Sequence, residues 1–250
     1  MAVMSLRRLL GVFLALASLS GCGDDSWQDY SYKMTVWVGD KPYSAVRHVK
    51  VEERATIQAS SGRRVDRRTQ GQAVIVDTPS GQVFALMTPE EGQFGFGNYA
   101  AYVAEPALAP AIGTAAESDV AEAVREYNER QPGHDWLADD AQRHNAMLEV
   151  KGPRDLPRTF ESRALGTIKV WPMFVRFGDI ANPKSVRQVT PDSIGVTRIT
   201  IEVTDEDVTT GIERILVWLP HLERYRKDPS NPFTNTLPSA IGFLRSDEKG

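Results

Sequence analysis

The chain reads as an α+β protein: a mainly antiparallel β-sheet or sandwich with a helical insertion and a short C-terminal helix. Three observations predict this. Apolar and polar residues alternate over Tyr30–Val38 and again from Tyr43 to Val51. Between residues about 98 and 150 the composition turns to alanine and glutamate and the apolar spacing lengthens to that of a helix. From Ile168 onward the strand period returns.

The first 21 residues stand apart from that pattern. Arg7 and Arg8 precede an apolar run from Leu9 to Leu19, the build of a secretory signal. Such a run falls well short of the ~20 residues a helix needs to cross a hydrocarbon core, so it is not a lasting transmembrane span. It ends in Leu19-Ser20-Gly21-Cys22, which resembles the lipobox of bacterial lipoproteins. That resemblance implies cleavage after Gly21, a diacylglyceryl thioether on Cys22 and an acylated new amine. The chemistry suits the residues, because a thiol is the strong nucleophile a thioether needs and small neighbours admit the enzymes. Cys22 is the only cysteine. Ordinary secretory cleavage, with Ser18 and Ser20 as the small residues, is the alternative. Two or three acyl chains, at ~0.8 kcal/mol per buried methylene, hold a protein on its membrane. The membrane, reached through the acyl chains on Cys22, is therefore the first expected partner. Gly23 follows the cysteine where the resemblance associates an aspartate with inner-membrane retention. The expectation is a cell-envelope protein facing the periplasm, with its signal peptide removed and the outer membrane favoured over the inner.

Without residues 1–21 the chain has 27 basic and 33 acidic side chains, a formal charge of −6. This balance argues against nucleic acid, which rewards clustered positive charge. It also argues against electrostatic attraction to anionic lipid, leaving attachment to the acyl chains. The expected organisation is a lipidated cysteine and polar tether at 22–30, one globular domain at 31–245 and a flexible tail at 246–250. With its one thiol lipidated, the domain has to hold together by its core alone.

Within the domain, Tyr30, Tyr32, Met34, Val36 and Val38 form one side of a first strand. Gly39-Asp40-Lys41-Pro42 supplies a turn, and Tyr43, Ala45, Arg47, Val49 and Val51 form one side of a second strand, making a hairpin. Ala73–Val76 and Val83–Met87 flank Pro79-Ser80-Gly81 as a second hairpin, apolar enough to be buried on both faces. Thr114 and Glu117 have the form of a capping box before Ala116, Val120, Ala123, Val124 and Tyr127 at helical spacing. Trp136, Leu137, Ala141, Met147 and Leu148 predict a second helix. Ile168–Phe177 is strand-like, with Pro172 implying an edge or a bulge. Val196–Val203 alternates only in part. Ile212, Ile215, Leu216 and Leu219 have the stripe of a short helix closed by Pro220, and Phe233, Leu237, Ile241, Phe243 and Leu244 imply docking of the last stretch.

Five stretches in order, Tyr32–Val36, Gly71–Asp77 with Phe84–Leu86, Gly152–Pro157, Asp179-Ile180 with Pro183, Ser185 and Val186, and Thr210–Glu213, resemble an uncharacterised family of proteobacterial lipoproteins and exported proteins. The resemblance spans roughly residues 30 to 245 and implies export. It transfers no catalytic residue, and Trp37 departs from the small acidic or polar residue expected there.

Chemistry-bearing residues are sparse. His134, Asp135, Asp139, Asp140 and His144 are the densest set, and Asp140 and His144, four apart, share a helix face from which both could reach one zinc ion. A solvated acidic helix is the competing reading, because a metal site needs three or four ligands. Arg63, Arg64, Arg67 and Arg68 form the one basic run, suited to lipid headgroups, phosphates or an acidic envelope protein, or else an exposed loop. The glycines Gly92, Gly95 and Gly97 fit neither nucleotide-binding spacing. There is no Gly-x-Ser-x-Gly elbow and no His-Glu-x-x-His, and His48 and His221 are isolated. The expected role is binding or structural support beside a membrane, with no cofactor. A tethered hydrolase centred on Asp135–His144 and a small-ligand carrier are the alternatives.

Overall fold

A computed structural model describes residues 26–57, 62–90, 99–112, 136–162, 166–221 and 245–246. The signal sequence, Cys22, the Gly92–Gly97 loop, the Thr114–Tyr127 stretch and most of the last stretch lie outside them. The fold is α+β, built on two antiparallel sheets.

The first sheet has the order β12-β3-β2-β1-β11-β6. Its strands are β1 (Tyr30–Val38), β2 (Lys41–Ala55), β3 (Arg63–Gln72), β6 (Arg154–Asp155), β11 (Val196–Val203) and β12 (Arg245–Ser246). The second has the order β10-β9-β5-β4, from β4 (Val74–Thr78), β5 (Gly81–Pro89), β9 (Pro172–Phe177) and β10 (Val186–Val189). A separate pair joins β7 (Thr159–Ser162) to β8 (Gly166–Lys169).

The first hairpin forms as its alternation predicts, with Tyr30, Tyr32, Met34 and Val36 buried against Ala45, Val49 and Val51. Gly39 takes φ +57° at the first turn position, where a two-residue turn of matching twist favours glycine. What the apolar pattern does not predict is the length of β2 and the whole of β3. Residues 48–55 pair with 63–70 in a second hairpin, so the basic run is strand and not loop.

Gly71 explains how the chain leaves this sheet. At φ +137° it passes so close to β2 that a Cβ there would lie 3.0 Å from Arg47 Cγ. Only Ala73 then separates β3 from β4, and the chain turns a corner from one sheet into the other. The main core fills the space between them. Tyr32, Met34, Ile199 and Ile201 from one side meet Val74, Val83, Ala85 and Phe174 from the other, with Ala101, Val103 and Leu108 of the insertion.

The second sheet is also covered on its outer face. Phe84, Leu86, Val175 and Phe177 pack beneath Ile212, Leu216, Trp218 and Leu219, so the two central strands β5 and β9 are buried on both sides, as the apolar run Val83–Met87 predicts, while β4 is only partly covered and β10 is largely exposed. The covering segment is not one continuous helix. It is two 3₁₀ turns, Ile212–Arg214 and Leu219–His221, the second containing Pro220. The reason is Trp218: an α-helix turning ~100° per residue would carry it off the Ile212–Leu216–Leu219 stripe, yet here it is buried against Phe177 at 5.4 Å.

Two irregularities resolve the partial patterns. Pro172 opens the interior strand β9, beside a register shift in its pairing with β5, where its missing N–H costs nothing to the ladder. Thr197 is the extra residue where Trp37 pairs with Arg198 and Val38 with Val196. This bulge returns Val196 to the core face already held by Ile199 and Ile201.

The insertion contributes α1 (Tyr99–Tyr102), α2 (Glu105–Leu108), a 3₁₀ turn at Ala109–Ile112 and α3 (Trp136–Leu148). Tyr30 and Tyr32 donate from their hydroxyls to the carbonyls of Ala101 and Ala100, and Tyr99 donates to Val170 O, pinning α1 over the first sheet. No helix among the described residues is long and apolar enough to cross a membrane.

Candidate functional site

Strand alternation splits the basic run. Arg64, Asp66 and Arg68 point to one face of β3, while Val65, Arg67 and Thr69 point to the other, under the insertion. Arg64 pairs with Asp66 at 3.1 Å and Arg63 with Glu53 at 3.0 Å. Arg68 has no carboxylate partner among the described residues. Arg67 parts company with the other three, its side chain only 5% exposed and 3.3 Å from a Glu105 carboxylate oxygen.

Glu105 is at the first position of α2, directly ahead of Pro106. Burial pushes its carboxyl above the usual range, and the neighbouring guanidiniums of Arg67 and Arg143 pull it back. Arg67 is also clasped between rings, its guanidinium carbon 4.3 Å from the Tyr102 centroid and 5.2 Å from that of Trp27. Trp27, Val65, Arg67, Tyr102, Glu105, Leu137 and Asp140 line a cavity of about 260 Å³.

The N-terminal strap, Ser26–Asp29, forms one wall. Asn145 donates to Ser26 O at 2.9 Å, His144 donates through Nε2 to Gln28 O at 3.0 Å, and Val51 N donates to the Asp29 carboxylate at 2.7 Å. The expected tether is thus partly laid down on the domain. His144 is buried, 5.2 Å from the Trp27 ring and 5.4 Å from that of Tyr30. Burial pushes its pKa down to about 4, against the pull of the Gln28 carbonyl.

Asp140 and His144 share a face of α3, as their spacing predicts, but they serve different partners. Asp140 reaches the cavity and accepts from Arg143 at 3.2 Å, while the Nε2 of His144 is committed to the strap. Among the described residues no three His, Cys, Asp or Glu side chains gather as metal ligands. Asp139 is exposed, and His134 and Asp135 lie outside the described residues. Of the remaining histidines, His48 meets Ser31 Oγ at 3.2 Å and His221 is exposed at the end of a 3₁₀ turn. Among the described residues the cavity lining contains no serine, threonine, cysteine or histidine.

No protein family, curated protein or solved structure matches this chain. In chemical terms the site offers a small aromatic and aliphatic recess whose two carboxylates, Glu105 and Asp140, are each paired with an arginine. Trp27, Tyr102 and Glu105 carry no sequence signal for it. Trp27 reads as tether, and Glu105 stands in an alanine-rich run beside Pro106. Only the inward register of Arg67 could have pointed there, and that becomes visible once β3 is recognised as strand.

Proposed function

We propose that this chain is a lipid-anchored protein of the bacterial envelope, facing the periplasm, that binds a partner or supports structure at the membrane surface. The leader and Leu19-Ser20-Gly21-Cys22 supply the anchor, and the resemblance to exported lipoproteins agrees with it. One observation carries the rest: the strap is held down from Ser26 onward by Asn145, His144 and Val51. Between Cys22 and Ser26 the chain spans at most ~14 Å at full extension. With acyl chains on Cys22, the cavity faced by Trp27 then lies beside the headgroups and does not range through the envelope.

The test is the mature N-terminus. Intact mass spectrometry of the membrane-bound protein is expected to find residues 1–21 removed and Cys22 carrying diacylglyceryl and acyl groups. The Cys22→Ala form is expected to leave the membrane fraction. A Cys22→Ala protein that is processed and sediments with membranes as the parent does would overturn the reading.

A further inference from the structure

We propose that the β2–β3 hairpin is a second contact with the membrane, a cationic ladder tipped by Ile57 that meets anionic phospholipid headgroups. The inference rests on the lipid-anchor reading and names the surface on which the anchored domain lies. Three observations carry it.

Direction comes first. β1 is antiparallel to β2, with Tyr30 opposite Val49, so the chain traced back from Tyr30 runs the way β2 runs forward, past Val51. The strap toward Cys22 and the hairpin tip therefore emerge at the same end of the sheet.

Charge comes second. On the outward face of the hairpin Lys50 lies opposite Arg68, Glu52 opposite Asp66 and Arg54 opposite Arg64. Two cationic rungs thus flank one acidic rung, leaving a local charge of +2 on a chain that carries −6 once residues 1–21 are removed. Carboxylates within the ladder hold the guanidiniums in place, as in the Arg64–Asp66 and Arg54–Asp66 pairs at 3.1 and 3.4 Å, and the excess charge faces outward. Negative total charge averages over this patch and does not describe it.

Exposure comes third. Ile57, just past the end of β2, is fully exposed, where a large aliphatic side chain gains nothing from the fold. An exposed isoleucine just past a strand carrying cationic side chains matches an interface whose headgroups are anionic and whose interior is hydrocarbon. The burial of Arg67 against Glu105 removes it from this surface, so the headgroup set is Lys50, Arg54, Arg64 and Arg68.

The experiment uses the purified lipidated protein reconstituted in phosphatidylcholine vesicles with or without phosphatidylglycerol. A diazirine analogue of leucine replaces Ile57 or, as a control, the exposed Val217 on the layer beyond the second sheet. On irradiation, lipid adducts are expected at position 57 and not at 217. Phosphatidylglycerol is expected to increase them several-fold, and high salt or Arg64→Glu/Arg68→Glu to cut them about tenfold. Adducts at 57 no more frequent than at 217, or indifferent to salt and charge reversal, would overturn the proposal. If the protein proves to carry no acyl chains, the anchor reading fails by itself. The same adduct yields, measured with the unlipidated chain added to vesicles, then decide the hairpin contact.

Discussion

Arg47 and Arg67 leave adjacent strands toward the same face of one sheet, and both are withdrawn from water, yet the fold holds them by opposite means. Arg47 is fully buried and, among the described residues, has no carboxylate partner: Nε donates to Gln72 O at 3.2 Å, Nη1 approaches the Tyr32 hydroxyl at 3.4 Å and no described residue accepts from Nη2. Arg67 faces Glu105 and lies between Trp27 and Tyr102. Strands and α1 surround Arg47, whereas the strap and α2 must also converge before Arg67 is satisfied. One guanidinium is part of the sandwich, and the other reports whether the N-terminal strap and the insertion are assembled on it.

The sharpest way to break this contrast is to remove the charge that answers Arg67. Glu105→Ala leaves a guanidinium buried beside rings, and a loss of ~3–5 kcal/mol in unfolding free energy is expected from chemical denaturation. Replacing both partners, as in Arg67→Met/Glu105→Leu, is expected to recover most of that loss. A double variant no more stable than Glu105→Ala would mean that the pair is not the unit that matters.

Acid is the next largest lever, and it acts through the strap. The folded state keeps His144 neutral down to about pH 4, whereas in the unfolded chain it protonates near its ordinary ~6.5. Between those values the unfolded state binds more protons, so this residue's contribution is present above pH ~6.5 and is lost as pH falls toward 4, by up to ~3 kcal/mol. Glu105 acts in the other direction, because its raised carboxyl takes up a proton earlier in the folded state. The measurement is therefore a difference: His144→Gln, which keeps a donor for Gln28 O, is expected to flatten the parent's loss of stability over this range. Equal acid sensitivity in both proteins would sink the assignment.

How much of this was legible depends on what carried each period. β1, the inner face of β2 and the β4–β5 hairpin show in the sequence because valine, tyrosine and methionine mark their faces, and α3 shows because Leu137, Ala141 and Leu148 fall on a stripe. β3 does not, because charge alternates in it: Arg64, Asp66 and Arg68 against Val65, Arg67 and Thr69. Without that register the four arginines read as one patch, when one is buried and three face water or partners. The site was half legible. Asp140 and His144 share their face as expected, but Trp27, Tyr102 and Glu105 come from separate segments that only tertiary packing joins. The C-terminal stripe misled because Trp218 competes with it for the same sheet.

Trp27 tests the strap on a smaller scale. Trp27→Ala removes the ring over Arg67 and its contact with His144 while sparing the backbone bonds of Ser26 and Gln28, and a cost of ~1–2 kcal/mol is expected. Amide exchange at residues 26–29 is expected to quicken more than at β1, since the strap loses its one large side chain. Uniform quickening across the first sheet would mean that the strap is continuous with the core rather than a separately held arm.

The smallest effect expected is at the most buried arginine. Arg47→Met keeps the volume of the stem that packs beneath Gly71 and removes a charge that no carboxylate answers among the described residues. It also strips Gln72 O of a donor, which costs ~1–3 kcal/mol for a buried acceptor. Against that stands the desolvation that a buried guanidinium no longer has to bear, a gain of similar size in hydrophobic replacements of buried charges. Tyr32 keeps its bond to Ala100 O, so the two terms nearly cancel and a net change within ~1 kcal/mol is expected. A loss comparable to that of Glu105→Ala would erase the distinction between the two arginines, because it would mean that Arg47 too depends on a charge partner in the folded protein.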